Sequence, residues 1–114
     1  MGKKDISYQE LEQGDIIFVS LNPTKGHEQR GERPCIVLTK KSSYLNYMYG
    51  VAPITTKVKK FPLHIPLPKD LITKGQILLE HHRMIDLEIR GFSFVEKAPK
   101  ELIEECSAKI KLLY

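Results

Sequence analysis

Apolar positions cluster in short runs broken by glycine, proline and charge, and the runs predict strands. Asp15 to Leu21 reads Asp-Ile-Ile-Phe-Val-Ser-Leu, a β-branched and aromatic stretch suited to a buried strand, set off by Gly14 and ended by Asn22-Pro23. Cys35-Ile-Val-Leu-Thr39 is apolar enough for a central strand, and Pro34 allows only a strand start or an edge. From Tyr47 to Ile54 the chain alternates, with Tyr47, Tyr49 and Val51 on one face and Met48, Gly50 and Ala52 on the other. Shorter strands are expected at Leu63 to Ile65, which three prolines keep from growing, at Gln76 to Glu80 and at Ser93 to Glu96. A short turn or helical piece is expected around Asp86 to Ile89. After Pro99 the period changes: Leu102, Ile103, Cys106, Ile110 and Leu113 share one face of an amphipathic helix.

These elements predict a mainly β fold with helices. Five or six short strands would form a small, curved antiparallel sheet or partly open barrel, with the amphipathic C-terminal helix over one end of the core. The 114 residues fit one domain, with residues 1–13 as a polar, variable lead-in. A composition of 41% hydrophobic and 28% charged residues is that of an ordinary soluble globule, which confines disorder to ends and loops. No apolar run approaches the length of a membrane span and the N-terminus lacks a signal-peptide core, so the expectation is a cytoplasmic protein without a membrane. Cys35 and Cys106 are too few for a disulfide framework and read as buried free thiols. No metal-ligand spacing is present, because adjacent His81 and His82 would project to opposite faces of a strand; neither metal nor cofactor is expected.

Charge changes the picture at particular places. Eighteen basic against fourteen acidic residues leave a net +4, a mild bias toward polyanions that matters only where Lys and Arg converge on one face. Thr24 to Pro34 is a loop of about ten residues between two strands, long for a small domain and therefore a functional candidate. It carries His27, Glu28, Arg30, Glu32 and Arg33, with Gly26 and Gly31 to free its backbone. Two further clusters lie beside strand ends: Thr55 with Thr56, Lys57, Lys59 and Lys60, and Arg83 with Asp86, preceded by His81 and His82. Metal-free RNA cleavage needs a base for the ribose 2′-OH, a donor to the leaving oxygen and cations on the phosphate, and the three clusters contain every such part.

Three segments carry a family resemblance: Gly14-Asp15-Ile16-Ile17, then Pro23-Thr24-Lys25-Gly26-His27-Glu28-Gln29, then Arg33-Pro34-Cys35-Ile36-Val37-Leu38. It continues through Ala52-Pro53-Ile54-Thr55-Thr56 and the stretch from Ile77 to Asp86, with Arg90-Gly91 after it. In this order and spacing the chain resembles the MazF/PemK family of toxin endoribonucleases over nearly its whole length after Gly14. The resemblance implies a homodimer of small SH3-like barrels, of the fold shared with CcdB. It also implies metal-independent cleavage of single-stranded RNA, with 2′,3′-cyclic phosphate and 5′-hydroxyl ends, and a cognate antitoxin whose acidic disordered segment covers the RNA groove. Carried over by position, Arg33 and Thr55 match the pair at the scissile phosphate and Glu28 the acidic loop residue. His27, Arg83 and Asp86 match the trio proposed for PemK-like members. His81 stands where the family commonly has Gln, and adds a titratable group.

Arginine keeps its proton at neutral pH, so Arg33 and Arg83 are assigned to the phosphate, and the base is sought among Glu28, His27 and Asp86, with Glu28 favoured. Lys57, Lys59, Lys60, Thr56 and His81 are candidates for RNA binding. Tyr44, Tyr47 and Tyr49 could stack on RNA bases, and bland readings stand beside these: alternating tyrosines as sheet packing, His64 as structural or solvent-facing, His82 as a packing or interface histidine, Arg30 and Glu32 as surface. Two rivals use the same barrel: a non-enzymatic binder like the gyrase-poisoning CcdB toxins, and an RNA-binding module without cleavage. Arg33 with Thr55 argues against the first, retention of the motif residues against the second.

Overall fold

The computed structural model describes residues 6–21, 32–57 and 60–114. Among them, seven strands form an open antiparallel sheet: β1 (Asp15–Ser20), β2 (Glu32–Val37), β3 (Met48–Thr55), β4 (His64–Pro66), β5 (Gln76–Leu78), β6 (Arg83–Asp86) and β7 (Ser93–Lys97). The order is β4-β5-β3-β2-β1-β7, with β6 also paired to β3. Two helices accompany the sheet, α1 (Leu87–Arg90) and α2 (Lys100–Lys111). No helix among the described residues is long and apolar enough to cross a membrane.

Alternation along the central strands feeds two separate cores. Ile16, Ile36, Ala52 and Ile54 point into one, which α2 seals with Leu102 and Cys106. Ile17, Cys35, Val37, Tyr49 and Val51 point into the other, closed by Leu11, Ile85 and Leu87. A sheet covered on both faces explains why Asp15 to Leu21 reads as a continuous apolar run rather than an alternating one. The polar lead-in contributes to this cover. Ser7 and Glu10 form a reciprocal cap on a short 3-10 turn at Tyr8–Glu10, which sets Leu11, fully buried, beneath the sheet.

Three sequence expectations are corrected. There are seven strands rather than five or six, and the additional one, β6, precedes the turn or helical piece expected around Asp86 to Ile89, which is α1. The strand expected from Cys35 begins at Glu32, ahead of Pro34. Pro34 is tolerated because the β2 ladder to β3 starts only at Cys35, so at Pro34 the strand has β1 on one side and no strand on the other. The stretch Gln76 to Glu80 is strand only to Leu78; Leu79–His81 turns into a 3-10 helix.

That turn has a cause in β3. Ile54 pairs with Ile77 and Val51 with Arg83, so five residues, Leu78 to His82, lie opposite only two, Ala52 and Pro53. Pro53 has no N–H to give a ladder. The partner chain bows outward there, and the bow carries Glu80 and His81.

Candidate functional site

The bow, the end of β1 and the start of β2 enclose a hollow of about 320 Å³, lined by Leu21, Arg33, Pro53, Leu78, His81 and Arg83. Arg33 comes from β2 opposite Val19, and Arg83 from β6 opposite Val51, so two guanidiniums distant in sequence face one exposed space. Both also act on Cys35 below them. Burial pushes its thiol up to about 12, against the opposing pull of Arg33 and Arg83. Cys35 is therefore an inert core thiol, and Cys106 is similar, raised by burial to about 11. Two exposed arginines lining one hollow, with their forked donors, suit an anion with several oxygens.

The end of β1 and Leu21 after it are tied down by arginines. Arg83 Nη1 donates to Leu21 O at 3.1 Å and Arg90 Nη1 to Ser20 O at 2.8 Å. One face of Arg83 therefore holds the end of β1 while the rest of its fork remains at the hollow.

The other predicted residues are placed as follows. Thr55 ends β3, two residues beyond Pro53, opposite Gln76. Its Oγ1 accepts from Lys57 N–H at 3.1 Å, which leaves the hydroxyl proton for another acceptor. Gly75 makes this close pairing feasible: its φ is +121°, and a Cβ there would collide with the Thr55 carbonyl. Thr56, Lys57 and Lys60 follow on the exposed surface past the strand end and do not line the hollow. Asp86 is not brought to the hollow either. It caps α1, its Oδ1 accepting from Glu88 N–H at 2.9 Å and Ile89 N–H at 3.1 Å. His27, Glu28 and Lys59 lie outside the described residues.

The aromatic and histidine alternatives separate cleanly. Tyr49 is buried and its hydroxyl donates to Tyr8 O at 2.6 Å, while Tyr8 and Tyr47 meet edge to face, so Tyr47 and Tyr49 are packing residues, whereas Tyr44 is exposed. His82 is a packing residue, with Nδ1–H given to Leu79 O at 2.6 Å and Nε2 2.8 Å from the Tyr114 hydroxyl.

The model of the PemK-like, MazF-like toxins of type II toxin–antitoxin systems matches residues 12–114. The chain belongs to that family. Among its relatives, the endoribonuclease toxin ChpB of Escherichia coli is 32% identical, with 93% of this chain and 96% of the relative covered. The endoribonuclease PemK of Escherichia coli is 27% identical, with 91% and 82% covered. The fold agrees: a crystal structure of MazE-MazF from Deinococcus radiodurans aligns with a TM-score of 0.79 at 28% identity, over 90% of this chain and 94% of the other. The mainly β architecture expected from the sequence is thus the architecture of the family.

Four residues of the site were not legible in the sequence. Arg90 and Gly75 support the end of β1 and Thr55, and only their positions in the fold reveal it. Glu80 and His64 form a hydrogen bond of 2.7 Å between residues sixteen apart, on β4 and the bow. A proline-flanked histidine is the sole signal in the sequence, and it carries no hint of its partner.

Proposed function

We propose that this chain is the toxin of a type II toxin–antitoxin pair and a metal-independent, sequence-specific endoribonuclease. It cleaves single-stranded mRNA in the cytoplasm by attack of the ribose 2′-OH, leaving 2′,3′-cyclic phosphate and 5′-hydroxyl ends. The observation that carries this reading is the convergence of Arg33 and Arg83 on one exposed hollow. Relatives named endoribonucleases, spanning nearly the same length, support it. Arg33 and Arg83 hold the scissile phosphate and its developing charge. The Thr55 hydroxyl, with its proton uncommitted to Lys57, donates to a phosphate oxygen. Glu28 serves as the base in preference to His27 and Asp86, since the Asp86 carboxylate is engaged at the start of α1. Thr56, Lys57, Lys59, Lys60 and His81 line the RNA path.

The active form is a homodimer whose RNA groove crosses the subunit boundary. A second, larger and mainly apolar hollow of about 490 Å³ lies between β6 and α2, with Leu38, Met84, Ile110 and Tyr114 among its walls. Arg83 borders both hollows, so a partner seated on the apolar one would extend the phosphate site. A cognate antitoxin blocks the groove with an acidic segment that is disordered when free, and the MazE-MazF structure from Deinococcus radiodurans supports the existence of such a partner.

The test is incubation of the purified protein with a long RNA in EDTA. Wild type yields discrete fragments, and folded Arg33→Ala cleaves at least about 10²-fold more slowly. Cleavage at the wild-type rate by a folded Arg33→Ala protein would overturn the assignment.

A further inference from the structure

Glu80, His64 and His81 form a cluster at the rim of the hollow, of which the reading above uses only His81, as an RNA contact. Glu80 Oε2 lies 2.7 Å from His64 Nε2 and 3.7 Å from His81 Nε2. Burial acts to raise the Glu80 carboxyl. Burial is the largest single influence, but the hydrogen bond from His64, a backbone hydrogen bond and the charges of His64 and His81 together outweigh it, and the carboxyl stays below its ordinary value. An ionised carboxylate has no proton to give, so His64 Nε2–H is the donor of that bond. The His64 side chain is 7% exposed and braces Glu80 from behind, whereas that of His81 is 63% exposed and lines the hollow. Among the described residues, the charged and titratable groups around His81 are Arg33 from β2, Arg83 from β6, Glu80 beside it and His64 from β4 behind Glu80. Two arginines supply charge but keep their protons, so protonating a leaving oxygen needs a group of another kind. An imidazole is suited to it at neutral pH.

We propose that His81 is the general acid for the 5′-oxygen leaving group, and that Glu80, braced by His64, is the positioning residue that holds its imidazolium toward the phosphate. The proposal rests on the endoribonuclease reading. As the 2′-oxygen bonds to phosphorus, its proton passes to the base, Glu28 in that reading. The bond from phosphorus to the 5′-oxygen breaks with its electron pair on oxygen, which takes the proton of His81. Cyclic phosphate and 5′-hydroxyl result, and no further reactant is needed.

A substrate whose leaving 5′-oxygen is replaced by sulfur separates this role from a structural one, because a thiolate, with a conjugate acid near about 8.5, leaves without a proton donor. Wild type, His81→Gln, Glu80→Gln and Arg33→Ala, each checked for fold by circular dichroism, are assayed on oligonucleotides with either linkage. His81→Gln is expected to lose about 10²-fold on the oxygen substrate and to match wild type on the sulfur one, whereas Arg33→Ala loses on both. Glu80→Gln is expected to lose on the oxygen substrate, by less than His81→Gln, with KM unchanged, and to match wild type on the sulfur one, because the imidazole is present but no longer held toward the leaving oxygen. His81→Gln cutting the oxygen substrate at the wild-type rate, or losing equally on both, overturns the acid role. Glu80→Gln cutting the oxygen substrate at the wild-type rate, or losing equally on both, overturns the positioning role. Wild type that leaves both substrates whole refutes the nuclease reading, and this proposal with it.

Discussion

Asp86 lies three residues after Arg83 in sequence, yet on a strand that spacing sends the two side chains to opposite faces. Its carboxylate accepts two N–H groups at the start of α1, the position where Asp and Ser are nearly equivalent. Asp86→Ser is therefore expected to keep both the fold and RNA cleavage. Asp86→Ala should lower stability by about 1 kcal/mol, measured by urea unfolding. Loss of cleavage in a stable Asp86→Ser protein would return this carboxylate to the chemistry. At this scale the sequence was readable where a residue flanks an apolar run: Arg33 stands near the start of β2 and Arg83 at the start of β6, so their approach follows from strand pairing. It was unreadable where two side chains from distant segments meet. The link from His64 to Glu80 depends on how β4 folds back on β5, which no local pattern encodes.

Among the elements, β1, β2 and β3 were legible because covering both faces demands apolar residues at nearly every position, a signal strong over five or more residues. β6 carried no such signal. It has four residues, two of them exposed, and is strand because β3 offers it a free edge from Met48 to Val51. The bow before it follows from Pro53 in the neighbouring strand, so its cause lies some thirty residues away in sequence and was invisible locally. The end of β3 depends on Gly75 in the same manner. Gly75→Ala would force both a positive φ and a contact with the Thr55 carbonyl, costing about 1–3 kcal/mol. The expected outcome is a lower midpoint in urea together with slower RNA cleavage, since Thr55 must move. Unchanged stability and activity would mean that the β3 end yields without consequence.

For the whole molecule, the open sheet places its two hollows side by side with Arg83 between them. Under the proposed function, assembly of two copies and recognition of RNA would draw on adjoining surfaces, and an antitoxin segment laid over one would disturb the other. Architecture alone does not distinguish a nuclease from a binder on the same fold. The distinction rests on the hollow and its two guanidiniums. The most direct test is to incubate the protein with a long RNA in EDTA, sequence the fragment 5′ ends and determine the chemistry of both new termini. The account predicts cuts at a short recurring sequence, each leaving a 2′,3′-cyclic phosphate upstream and a 5′-hydroxyl downstream. Intact RNA, or fragments bearing 5′-phosphates, would contradict it.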